Sequence, residues 1–346
     1  NYVEIIQNKA HARRLIEVAN EVAEDGFDGS IAVEDLLDSA EKRILEVTRT
    51  RKTDDFKSGK EVVQSVVENI YRMRDNKTSI TGVKTGYRSL DRLTNGLQRG
   101  DLIILAARPS VGKTAFALNL ALKTAKYNDQ AVAIFSLEMP AEHLISRMLA
   151  VESGVPGNTL KTGKFANDDE LNRTNSAASS LSGLKIYIDD SSMIKTSEVF
   201  SKCRRLQAEH GLALIVIDYI QLISGSAKSK ENRQQEVSEI SRNLKALARE
   251  LNVPVVALSQ LSRGVESRTD KKPMLSDLRE SGSIEQDADI VMMLYRSEYY
   301  ENRGQEENSQ EVEVIVGKHR NGATGILKMF FTKDVNTFTD MDNNFN

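Results

Sequence analysis

Lys113 and Thr114 close the segment Ala107-Arg108-Pro109-Ser110-Val111-Gly112-Lys113-Thr114, and with Gly112 they bring the groups that phosphate chemistry needs. A Lys sets positive charge beside phosphate oxygens, a Thr hydroxyl can ligate Mg²⁺, and the backbone N–H groups of a tight loop point at the anion. A Gly-Lys-Thr triplet also arises by chance, so its flanks decide. The apolar run Leu102 to Ala106 precedes it, and Phe116, Leu118, Leu120 and Ala121 follow at helical spacing. Strand, loop, helix is the order of a Walker A nucleotide site. Ser110, Val111, Gly112, Lys113, Thr114 and Ala115 are its expected nucleotide-binding residues, with Thr114 on Mg²⁺. Ala107 stands where that pattern has its first Gly, and it is small enough for the turn.

Further polar groups stand at the ends of other apolar runs. Leu212 to Ile217 is apolar throughout and ends in Asp218. An ionised Asp closing a buried strand needs a neutralising partner, and phosphate-bound Mg²⁺ is the natural one, which gives a Walker B reading. Glu138 follows the run Ala131 to Ser136 and precedes a helix beginning near Pro140. It is either the base that orients the attacking water or a first-turn acid facing the helix dipole. Gln260 ends the run Pro254 to Ser259. It is either a neutral sensor of the γ-phosphate or a solvated loop amide. Lys318 and Arg320 stand at the end of the run Val312 to Val316, where alternation along an extended strand aims both the same way. Either could meet a phosphate, in this subunit or the next.

The elements that must hold these groups alternate from Thr78 onward. Strands are expected at 102–107, 131–136, 184–188, 213–217, 254–259, 290–295, 312–316 and 326–331. Helices are expected at about 114–127, 140–152, 168–181, 196–210 and 232–251. This is an α/β fold, a mostly parallel sheet covered by helices, with ligands at the carboxyl ends of the strands. Upstream, residues 1 to about 24 and 33–47 carry helical apolar spacing on either side of Asp25-Gly26-Phe27-Asp28-Gly29-Ser30, which reads as a helical hairpin over 1–50. Residues 51–79 read as a linker. Its one helix carries the stripe Val62, Val63, Val66, Val67, Ile70, Tyr71 and Met73, with no adjacent element to cover it, so docking on a neighbouring subunit is expected. The stretch Leu261 to Ile284, with Arg263, Arg268, Lys271, Lys272 and Arg279, and the stretch Ser224 to Arg233 read as flexible basic loops. They could follow a phosphate backbone or be solvated faces.

A net charge of −3 on 346 residues requires any nucleic acid to meet a local basic surface, and the absence of Trp argues against broad base stacking. Cys203 is the only cysteine and the His residues lack metal-ligand spacing, which excludes a disulfide framework and favours a reducing cytoplasm. No apolar run reaches membrane-spanning length. The chain begins at Asn1 within a helical pattern and is expected to be a piece of a longer protein.

ARPSVGKTAFALN, SLEM, LIVIDYIQLI, LSQLSR, DLRESGSIEQDAD and KHRNG, in this order, resemble the bacterial replicative DNA helicases of the DnaB type. The resemblance covers the RecA-like motor, here 80–346, most closely over about 80–332. It makes the helix at 60–75 similar to that family's linker helix, and residues 1–50 to the hairpin that ends its N-terminal domain. It implies a homohexameric ring around single-stranded DNA, with ATP and Mg²⁺ at each interface, travel 5′→3′, work at the replication fork, and primase and a helicase loader as partners. By the same resemblance Lys113 and Thr114 match the Walker A residues, Asp218 the Walker B acid, Glu138 the catalytic glutamate and Gln260 the sensor. Arg320 and Lys318 match cations that reach into the neighbour's site, and Arg279, Glu280 and Gly282 match the DNA-backbone contacts. Ala107 is what this family's pattern has at that position. A recombinase or a clock-type ATPase of the same fold shares the P-loop and the strand-end acid but does not unwind forks.

Overall fold

The computed structural model describes residues 2–29, 58–75, 80–220, 233–268, 270–297 and 309–341, with scattered positions between 33 and 47. The chain divides into two compact units, Asn1–Lys77 and Thr78–Asn346. In the first, helix α1 spans Tyr2–Asp28, four residues beyond the expected end near 24. Gly26 is carried inside the helix, and Gly29, at φ 65°, supplies the left-handed conformation that stops it. The second limb of the hairpin is described only in part, and Arg43 on it pairs with Asp25 at 2.9 Å and Glu21 at 3.7 Å. Helix α2, Gly59–Asp75, leaves Val62, Val63, Val66, Val67, Ile70 and Tyr71 exposed. Most of the linker between the hairpin and α2 lies outside the described residues, as does most of the basic stretch 224–233.

The second unit is built on one sheet in the order β3-β2-β4-β5-β1-β6-β7-β8-β9. Its strands are β1 (Leu102–Ala107), β2 (Ala131–Ser136), β3 (Ile186–Asp189), β4 (Leu212–Asp218), β5 (Val255–Gln260), β6 (Ile290–Tyr295), β7 (Ser309–His319), β8 (Gly325–Thr332) and β9 (Thr337–Asp340). Pairing is parallel from β3 through β6 and antiparallel from β6 to β9. The parallel strands β1, β2, β4 and β6 are buried along their whole length, because helices cover both faces. Successive residues of β1 point to opposite layers. Ile103, Leu105 and Ala107 pack with the helix Lys113–Tyr127, while Leu102, Ile104 and Ala106 pack with the helices Thr196–His210 and Arg233–Leu251.

Three differences from the sequence reading bear on the site. The expected strands do not include β9, which at four residues is below what an alternation window detects. β7 extends beyond 312–316 to Ser309–His319, so Lys318 lies within the strand. The stretch 261–284 is not a flexible loop. It forms 3₁₀ turns at Arg263–Ser267 and Leu275–Ser281 and a short helix at Gly282–Asp287, anchored by the buried Leu261, Val265, Leu278 and Ile284.

Candidate functional site

β1 ends at Ala107 and the helix begins at Lys113, so the loop between them must reverse direction within a few residues. Ser110 at φ 64° and Gly112 at φ 114° do this in the left-handed region. Gly112 answers two demands, since a Cβ there would also lie 3.3 Å from the ring of Phe338 on β9. No side chain caps this helix. Its first-turn N–H groups are therefore open to an anion, with the positive end of the helix dipole behind them.

Asp218, the last residue of β4, faces this helix end. The Thr114 hydroxyl donates to Asp218 Oδ2 at 2.7 Å, and Lys113 Nζ lies 4.0 Å from Oδ1. Asp218 is only 4% exposed, and its Oδ1 is buried without a hydrogen-bond donor. A buried, under-satisfied carboxylate oxygen beside a hydroxyl is a hard-oxygen pair of the kind that holds Mg²⁺ when phosphate and water supply the remaining ligands. Burial draws the Lys113 ammonium below the usual lysine range, opposed by the charges of Asp218 and Glu138. The Lys113 ammonium also lies 5.1 Å from the centre of the Tyr219 ring.

Glu138 and Gln260 belong to the same edge of the sheet. Ser136 pairs with Asp218 across β2 and β4, and Ala107 with Gln260 across β1 and β5. The carboxyl ends of β2, β4, β5 and β1 are thus neighbours, and they bring Glu138, Asp218, Gln260 and the P-loop together. Both Glu138 and Gln260 are exposed. The helix after β2 starts at Ala141 and its first-turn acid is Glu142. Glu138 precedes Pro140 and so lies ahead of the helix's first turn, not within it.

Lys318 and Arg320 occupy the opposite edge. β7 runs antiparallel to β6 with His319 opposite Ile290, and Arg320 N–H donates to Asp289 O at 2.9 Å. Asp289 N–H in turn donates to the carbonyl of Leu102, the first residue of β1, at 2.9 Å. The length of β1, about 20 Å at roughly 3.3 Å per residue, separates these cations from their own P-loop. They turn the same way, as alternation required. Lys318 donates to the carbonyls of Glu285 at 2.5 Å and Gln286 at 3.3 Å, and Arg320 to Gln286 O, with Asp289 Oδ1 at 3.6 Å. Burial, and then the charge of Arg320, lowers the Lys318 ammonium pKa. Arg279 and Glu280 fall on the second 3₁₀ turn and Gly282 opens the short helix after it. The side chains of Arg279 and Glu280 lie outside the described residues.

Two features of the site are absent from the sequence reading. Asn119 ties the β8–β9 hairpin to the P-loop helix: its amide donates to Asn336 O at 2.7 Å, and its Oδ1 accepts the Phe338 N–H at 3.1 Å. Its place within an apolar helical run is the one available signal. Arg108, inside the loop, bonds to Glu266 and Leu261. Nothing in the sequence pairs it with residues so distant.

A phosphate loop after β1, an acid ending β4 and a carboxylate after β2, at one edge of the parallel part of a single sheet, define a RecA-like P-loop ATPase. Residues 82–340 match the family described as DnaB-like helicase C terminal domain. The chain is 53% identical over 344 residues to the replicative DNA helicase DnaC of Bacillus subtilis (strain 168), covering 99% of this chain and 75% of that protein. It is 51% identical over 344 residues to the replicative DNA helicase DnaB of Geobacillus stearothermophilus, with shares of 99% and 75%. Among solved structures, one described as an ATPase domain has a TM-score of 0.77 at 40% identity, covering 83% of this chain and 100% of that one. A DnaB-like replicative helicase, described with its interactions with primase, has a TM-score of 0.82 at 35% identity, covering 98% and 78%. The chain belongs to the DnaB-like replicative helicases, a family of ATP-hydrolysing enzymes. Among the described residues no helix is long and apolar enough to cross a membrane.

Proposed function

We propose that this chain is one subunit of a homohexameric ring that hydrolyses ATP at its subunit interfaces to travel 5′→3′ along single-stranded DNA and part the duplex at the replication fork. The observation that carries the reading is the separation within the sheet. Lys113, Thr114, Glu138, Asp218 and Gln260 gather at one edge, while Lys318 and Arg320 lie a strand length away, beyond reach of their own P-loop. A site so divided is completed by a second copy.

In this reading the backbone N–H groups of the loop and first helical turn, within Ser110 to Ala115, and the Lys113 ammonium hold the triphosphate. Thr114 and Asp218 would hold Mg²⁺, which neutralises charge on the phosphate oxygens when bound. Glu138 orients the attacking water and takes its proton. Gln260 reports the state of the γ-phosphate to the segment after β5. Arg320 and Lys318 of one subunit stabilise the charge that develops in the next, so a lone subunit hydrolyses poorly. Arg279, Glu280 and Gly282 grip the DNA backbone, which carries no sequence information in itself. The polarity and the fork follow from membership of the family. Helix α2, with its exposed apolar stripe, docks on a neighbouring subunit. Primase and a loader are proposed partners, the former because the solved relative was described with it. Such work belongs in the cytoplasm, at the nucleoid.

Native mass spectrometry with ATP and single-stranded DNA, run beside a fork-unwinding assay, tests this reading. It expects a DNA-dependent hexamer and unwinding. A hexamer that exchanges strands without unwinding a fork would favour the recombinase alternative, and a chain monomeric under all conditions would refute the divided site.

A further inference from the structure

Arg108 lies inside the phosphate loop, and its guanidinium is bonded to the segment that follows Gln260. Its Nε donates to Glu266 Oε1 at 2.8 Å, its Nη2 lies 2.7 Å from the same oxygen, and its Nη1 donates to Leu261 O at 2.8 Å. The guanidinium is almost wholly buried, and a buried charge persists only where it is paired and hydrogen-bonded. The backbone adds a further tie, since Leu261 N–H donates to Ala107 O at 3.1 Å. The loop and the segment beginning just after Gln260 are thus fastened by side chain and main chain together.

The fastening continues. Ser262 N–H donates to Asp277 O at 3.0 Å, Arg268 pairs with the Asp277 carboxylate, and Met274 N–H donates to Asp277 Oδ2 at 2.7 Å. Asp277 is two residues from Arg279. Leu261, Val265 and Leu278 are buried along the way, so the segment has little freedom to absorb a displacement.

We propose that the Arg108–Glu266 pair is a coupling clasp, which makes movements of the phosphate loop and of residues 277–282 one event. Arg108 and Glu266 are then positioning residues: neither touches the reacting atoms, and each sets how DNA at 279–282 alters turnover at the P-loop. The inference rests on the reading that 279–282 meet DNA. It differs from sensing through Gln260, because it acts through the Arg108 side chain and needs no γ-phosphate contact.

The test is a double-mutant cycle in the intact chain with Glu266→Ala, Arg108→Ala and both, measuring ATPase with and without single-stranded oligonucleotide. Glu266 is the informative member, being half-exposed at the surface. The expected result for Glu266→Ala is a DNA-independent kcat and ATP KM within about twofold of the parent, with stimulation by DNA cut about tenfold, the usual size of coupling between sites. Arg108→Ala should lose a similar share of that stimulation, and the double variant little more than either single. If Glu266→Ala keeps full stimulation while its melting temperature falls, the pair is only a brace and the inference is overturned. Equal loss with and without DNA would overturn it too, by making the pair a support of the loop alone. If the parent ATPase ignores DNA, the proposed function fails and takes the inference with it, so the two failures are distinguishable.

Discussion

The two edges of the sheet treat their charges in opposite ways. At the carboxyl edge the groups are left wanting: Asp218 Oδ1 is buried without a donor and the helix after the P-loop has no side-chain cap. At the amino edge the charges hold one another. Lys245 pairs with Asp289, lies 3.8 Å from Asp101 and donates to Gly100 O at 2.8 Å, while Lys318 and Arg320 rest on carbonyls at the end of the helix Gly282–Asp287. The carboxyl edge presents unpaired groups suited to a ligand, whereas the amino edge pairs most of its charges within the chain, Asp101 Oδ2 being the buried exception. For Lys318 or Arg320 to serve a neighbouring subunit, as proposed, it must first leave the carbonyls on which it rests.

Arg320→Ala should have the largest effect. If Arg320 acts across an interface, kcat should fall by about 10³ to 10⁵ with little change in ATP affinity, measured by steady-state ATPase and nucleotide binding. A fall of less than tenfold would leave the amino edge with a merely structural part. Glu138→Gln comes next, with an expected loss in kcat of about 10² to 10⁴ and retained ATP binding, because it removes a proton acceptor and leaves the phosphate contacts alone. Unchanged turnover would remove Glu138 from the carboxyl edge's chemistry.

The smallest expected effect belongs to Asp101. Burial, with the charge of Asp289 behind it, pushes the Asp101 carboxyl up from 3.8 to about 6. Between these values the folded chain keeps a proton that the unfolded chain has released. The stability Asp101 contributes is therefore full below about pH 4 and is lost as pH rises through about 6. Asp101→Asn should raise stability at about pH 8, on the order of 1 kcal/mol or a few degrees in melting temperature, with little gain near pH 4. An equal gain at both pH values would show that charge is not the cause.

The sequence is most legible where a period repeats. Apolar runs and helical spacing locate the P-loop, the main helices and the strands that carry Glu138, Asp218 and Gln260, because each depends on contiguous residues. Short elements escape it: β9, the helix Arg88–Thr94 and the helix Gly157–Thr162 offer too few residues for a pattern. The stretch 261–284 reads as a loop because its buried Leu261, Val265, Leu278 and Ile284 follow no regular spacing, so anchorage looks like looseness. Strand order and the long-range pairing of Arg108 with Glu266 are products of folding and leave no local mark.

The claim that the site is shared between subunits is tested most directly by mixing. Subunits carrying Arg320→Ala keep an intact P-loop but lack the cation, whereas Lys113→Ala subunits keep the cation and lack the loop's charge. Each should be nearly inactive alone, and DNA-stimulated ATPase should return on mixing, rising to a maximum near equal amounts. No recovery at any ratio, with mixed assemblies shown to form, would contradict the account.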